Sequence, residues 1–143
     1  EKIKAERNNV NEYVTVHNLD ALKRAGRVKA SSAFFGNLLG VKPILISDVE
    51  GYQTPVKKVK GRQNSLREMV NMMKDSIVDP RKQCIYIVHS DCAEEAEVLR
   101  QMVQEAIPDA STYIGYIGPI IGASIGADAL GTFAFGREVT YKA

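Results

Sequence analysis

The spacing of apolar positions alternates between period two and helical period, and these switches divide the chain into segments. Residues 12–17, EYVTVH, alternate and carry β-branched side chains, which predicts a short strand. Residues 41–48 (VKPILISD) and 52–59 (YQTPVKKV) flank the turn VEG and predict a hairpin. In 64–79, Leu66, Met69, Val70, Met73 and Ile77 fall on one helical face, with Pro80 as the stop. Residues 84–88 (CIYIV) read as a compact buried strand. Asp91 and Glu94 have the D-x-x-E spacing of a capping box, opening a helix over 92–107 with Ala96, Leu99, Val103 and Ala106 inside.

The shorter features fill in the order. Residues 1–10 are rich in helix formers but have almost no apolar stripe, which predicts a solvated helix or a linker. Asn18 caps a short helix that Gly26 ends, and 30–40 is a second helix, apolar at Phe34, Phe35, Leu38 and Leu39 and closed by Gly40. Residues 111–118 read as a strand, 118–131 as a turn with a short helix, and 132–136 with 138–141 as a final strand pair. The sum predicts an α/β (α+β) fold with a mixed, largely antiparallel sheet covered by helices. Residues 1–12 are the linker or interdomain helix, and 13–143 the domain.

Composition narrows the function classes. A length of 143 residues suffices for one domain with a core, and a net charge of +2 spread among acids does not argue for nucleic acid. Only VKKVKGR (56–62) is locally basic, with no aromatic interleaved for base stacking. Two cysteines, Cys84 and Cys92, favour a reducing cytoplasm over a disulfide framework. Residues 110–136 carry one charge, but six glycines, Pro119 and Asp128 interrupt them, so they read as core and not as a membrane span.

The stretch GPIIGASIGADALG, 118–131, is the least ordinary part of the chain. It is neither G-x-G-x-x-G nor a P-loop. Its spacing would set Gly118, Gly122 and Gly126 near one helix face, either for close helix packing or as the wall of a narrow apolar cavity with Ser124 as its polar handle. HSDC, 89–92, holds hydrolase residue types side by side, whereas a triad is assembled from distant segments, so it reads as a strand end leading into a capped helix. His17 and His89 have no metal-ligand spacing around them. In GRVKASS, 26–32, Arg27 beside a helix start is either a solvated arginine or part of an anion site.

Three stretches in order, LKRAGRVKASSAFFGNLLGVKPIL (22–45), PVKKVKGR (55–62) and IGPIIGASIGADALG (117–131), resemble the second half of the DegV family of bacterial lipid-binding proteins. The resemblance implies one long-chain fatty acid held in a buried tunnel and no other cofactor or metal. It implies a carrier without catalysis of its own, the binding subunit of a fatty acid kinase whose separate catalytic subunit phosphorylates the carboxylate. It also implies a missing N-terminal domain that completes the carboxylate site. On that resemblance Arg27 lies beside the carboxylate and Phe34, Phe35 and Leu38 line the tunnel. Ile121, Gly122, Ser124 and Ile125 add to the ligand set, and Lys60 and Arg62 face the kinase. Ser124 stands where the family usually has histidine, Ala127-Asp128 where it has Pro-Gly, and Ala25 where it has glycine. Two alternatives differ in class. One is an acyl or phosphoryl transfer domain using Arg27 and His89; the other is a self-association module forming a homodimer of the fragment.

Overall fold

The computed structural model describes residues 1–17, 19–26 and 40–142. Helix α1 (Lys2–Glu6) and a 3₁₀ turn (Arg7–Asn9) lead into β1 (Val10–Thr15). Helix α2 (Asp20–Arg24) follows, then the hairpin β2 (Val41–Ser47) and β3 (Gln53–Lys60). Next come α3 (Arg62–Ser76), a 3₁₀ turn (Pro80–Lys82), β4 (Cys84–Ser90), α4 (Ala93–Ala106) and β5 (Ser111–Tyr116). Helix α5 (Pro119–Ile125) and β6 (Ala129–Phe135) complete the described elements. The Asn18 cap and the helix expected over 30–40, apart from Gly40, lie outside the described residues.

The strands form one sheet in the order β3-β2-β1-β6-β4-β5, antiparallel throughout except for the parallel pair β4–β5. That is the mixed, mostly antiparallel α/β architecture the pattern predicts. Alternation along β1 and β6 sends side chains to two unlike faces. Tyr13, Leu130 and Ala134 join Leu66, Met69, Met73, Leu99 and Val103 in a core between the sheet and α3 and α4. Each of these two helices has its apolar positions on one side and is long enough to lie across the strands. The opposite face carries a smaller cluster of Val14, Val16, Leu19, Leu22, Leu45, Ile125 and Ala129 under the short helices α2 and α5.

Several local expectations change. The sheet begins at Val10, inside the stretch expected to link domains, because Val10–Thr15 pair with Phe135–Leu130 of β6. Helix α3 ends at Ser76, before Pro80 acts; Ile77 is extended and bridges to Gly136. Strand β4 is buried on one side only, since Tyr86 is exposed between buried Ile85 and Ile87. Asp91 forms no capping box: it has positive φ, the N-cap is Cys92, and the Cys92 N–H donates to His89 Nδ1 at 3.3 Å. Residues 138–141 form no strand, although Val139 N–H donates to the Asn8 carbonyl and Val49 N–H to that of Tyr141.

Two substitutions test this packing. Met73→Ala empties a fully buried site and is expected to lower unfolding stability by about 2–5 kcal/mol in denaturant titration. Gly136→Ala would set a methyl 2.5 Å from the Ser76 carbonyl oxygen, backbone that cannot rotate away, at a cost of about 1–3 kcal/mol.

Candidate functional site

Among the described residues only the short helices α2 and α5 lie over the second face of the sheet, and a trough of about 590 Å³ opens beside them. Its floor follows the strand register. Val14 lies opposite both Leu45 and Gly131, and Gly131 opposite Val88. One row further along, Glu12 lies opposite Phe133 and Phe133 opposite Tyr86. Ile117, Ile120, Ile121 and Ile125 form the wall on the α5 side, and Leu22 comes from α2. Gly131 deepens the floor. A Cβ there would stand 3.2 Å from Phe133 Cε2 and Val14 Cγ2 and 3.3 Å from Val88 Cγ2, so a side chain would push these three neighbours apart by a few tenths of an ångström.

The glycine-rich stretch works differently from a glycine helix face. Only Gly122 lies within α5; Gly118 is its extended N-cap and Gly126, at φ +88°, ends it. The left-handed turn at Gly126 needs glycine, and a Cβ there would also meet the Ala21 Cβ at 3.1 Å. The segment thus makes a short apolar helix that docks tightly on α2. It leaves Ile120 and Ile121 unburied, the latter 61 % exposed.

A charged cluster sits where β1 meets α2. Arg62, its side chain 10 % exposed, donates to Glu95 at 2.7 Å and to the Asp128 carbonyl at 2.6 Å. Lys42 Nζ lies 3.3 Å from His17 Nδ1 and donates to the His17 carbonyl at 3.2 Å. Burial, then Arg62, then Lys42 push the His17 pKa below its usual value, so the neutral ring accepts from the ammonium. Burial raises the Cys92 thiol pKa. Among the described residues, no group of three or more His, Cys, Asp or Glu side chains is arranged to hold a metal.

The family model described as the DegV family of uncharacterised proteins matches residues 1–137. The chain belongs to the DegV family. A DegV domain-containing protein of Clostridium perfringens is 39% identical over 134 residues, 94% of this chain and 46% of that protein. The fatty acid binding DegV family protein of Streptococcus agalactiae superposes with a TM-score of 0.81 at 26% identity, over 96% of this chain and 48% of that one. The fatty acid kinase B3 protein of Streptococcus pneumoniae, loaded with linoleic acid, shares the fold at a TM-score of 0.78 and 16% identity, over 95% of this chain and 48% of that one. The chain thus spans about half the length of these relatives.

Within this DegV domain, Ile121, Ser124 and Ile125 line the trough. Gly122 does not; it faces the Ser90 hydroxyl, which a Cβ would meet at 3.8 Å. Ser124 Oγ contacts the Ile120 carbonyl at 3.4 Å, within its own helix. Lys60 is exposed at the end of β3, whereas Arg62 is turned inward. His89 is 3 % exposed and packs against Tyr116 with ring centroids 4.7 Å apart and the planes tilted by 54°. Arg27, Phe34, Phe35 and Leu38 lie outside the described residues. Sequence reasoning missed Glu12, Val14, Gln53, Val88 and Phe133. Alternation put Glu12 and Val14 on one face of a strand, but only the register across strands brings all five to one surface.

The depressed His17 pKa gives a signed pH dependence. Unfolded His17 takes up a proton at higher pH than folded His17, so its contribution is complete above about pH 6.5 and is lost as pH falls below that. Thermal melts across this window should show the decline, and His17→Gln should flatten it. A wild-type profile flat below pH 6.5 would contradict the assignment.

Proposed function

We propose that this chain is the lipid-binding domain of a DegV-family fatty-acid carrier, with the trough sheltering the acyl chain. The observation that carries the reading is an apolar groove of about 590 Å³ on a sheet face that the two long helices leave bare. Its size is that of a small-molecule site. A hydrocarbon chain offers no hydrogen bonds, so it gains only by leaving water, at about 0.8 kcal/mol per buried methylene. The fatty acid binding relative from Streptococcus agalactiae supports the ligand class.

In this reading Phe34, Phe35 and Leu38 contribute to the acyl tunnel together with the floor of Val14, Val88 and Phe133 and the wall formed by Ile121 and Ile125. Arg27 and Ser124 hold the carboxylate, and the other half of the protein completes the head-group site. The domain is non-enzymatic. His89, buried on the α3 and α4 side and tied to the Cys92 N–H, supports that part. The partner is the catalytic subunit of a fatty acid kinase, as the kinase B3 protein of matching fold suggests, and it docks over exposed Lys60; Arg62, turned inward onto Glu95 and the Asp128 carbonyl, anchors the neighbouring start of α3. No helix among the described residues is long and apolar enough to cross a membrane.

Native mass spectrometry of the full-length protein, followed by lipid extraction, tests this. A retained long-chain fatty acid is expected. Ile121→Asp puts a charge into the wall at an exposed position and should weaken fatty-acid binding about tenfold or more with little change in Tm. No fatty acid on the wild-type protein, even after addition under gentle conditions, would overturn the reading.

A further inference from the structure

Phe133 borders two cavities. It is part of the floor of the trough, and it also lines a hollow of about 290 Å³ on the same face of the sheet, together with Val10, Cys84, Tyr86 and Phe135. Among the described residues it is the only one that belongs to both. The strand register explains the arrangement. Gly131, Phe133 and Phe135 point to one face of β6 at steps of about 7 Å. Val14 and Val88 flank Gly131, Glu12 and Tyr86 flank Phe133, and Val10 lies opposite Phe135. The trough therefore lies over the first of these rows and the hollow over the last, with Phe133 between them.

The Phe133 ring leans toward the trough. A Cβ on Gly131 would meet Phe133 Cε2 at 3.2 Å, so the ring reaches back over the glycine. Glu12, its neighbour in the row, is held by the Ser47 hydroxyl and by Gln53 Nε2 at 3.1 Å. A hydrocarbon chain gains nothing by stripping water from that carboxylate, so the β1 side of the row is a poor way through. On β6 the obstacle is a single apolar ring. Past it, Val10, Tyr86 and Phe135 offer apolar surface that is still exposed.

We infer that Phe133 sets the upper limit of acyl-chain length, by closing the trough off from the hollow beyond it. The inference rests on the acyl-binding reading and adds the determinant of chain length to it. Up to the limit, each further methylene that leaves water strengthens binding about fourfold. Beyond it the added carbons meet the ring and stay in water, and the gain stops.

The experiment compares saturated acids from lauric to behenic on the full-length protein, by displacement of a fluorescent fatty acid. Wild-type affinity should rise with length and then level off. Phe133→Ala joins the two cavities. It should move the plateau to longer acids and strengthen behenic acid binding, relative to lauric acid, about tenfold or more, the effect of roughly two more buried methylenes. If that variant fails to fold, Phe133→Val, whose branched side chain suits a strand, takes its place. A length profile that is the same in the variant, or a plateau that moves to shorter acids, overturns the role of Phe133 and leaves the acyl-binding reading intact. Binding of no fatty acid by the wild-type protein overturns both.

Discussion

The pairing of β1 with β6 is the contact on which the rest depends. Residues Val10–Thr15 run antiparallel to Phe135–Leu130, joining the two ends of the chain across more than a hundred residues. The other edge of β1 holds the β2–β3 hairpin, and the other edge of β6 holds β4 and β5. Without this ladder the hairpin and the parallel pair would be separate small sheets, each too narrow to bury a helix. A closure this long is entropically unfavourable until both partners are present. The fully buried Thr15 and Thr132, whose hydroxyls lie 3.4 Å from Ser65 Oγ and 3.5 Å from the Tyr13 carbonyl oxygen, show how completely this centre is enclosed.

Unequal covering of the two faces follows from helix length. Fifteen residues in α3 and fourteen in α4 span the sheet and exclude water from one side. Among the described residues, the other face has only the five of α2 and the seven of α5 over it. Tight docking of α5 on α2 at Gly126 concentrates that small cover at one end, so the exposed remainder becomes a groove with a wall and not a flat face. Gly131 lowers the floor where Val14, Val88 and Phe133 meet. Beyond them the surface stays apolar at Val10, Tyr86, Tyr113 and Phe135, each 40 % exposed or more.

The polar elements divide by what they must satisfy. Arg62 is pinned by Glu95 and the Asp128 carbonyl and holds the start of α3 to the loop before β6. His17 and Lys42 join the end of β1 to β2 through a hydrogen bond that needs an unprotonated ring nitrogen. Glu12, Ser47 and Gln53 form their own network at the edge of the groove.

Much of the fold was legible because hydrophobic period is a local property. Leu66, Met69, Val70 and Met73 at helical spacing, the hairpin around VEG, and the inner face of 92–107 all appear as the pattern predicts. The family was legible too, through three sequence stretches in order. The capping box at Asp91 and the glycine face of 118–126 were not, because a spacing rule says nothing about whether the backbone there is helical. Asp91 adopts positive φ, and Gly118 and Gly126 lie outside the helix they were expected to build. The sequence by itself determined which residues are apolar, with what period, and hence that a sheet would be covered by helices. Only the tertiary structure decided that Val14, Val88, Phe133, Glu12 and Gln53 share one groove. Strand order and register are set by pairings between distant segments, and a shift of one residue would have turned each of them to the opposite face.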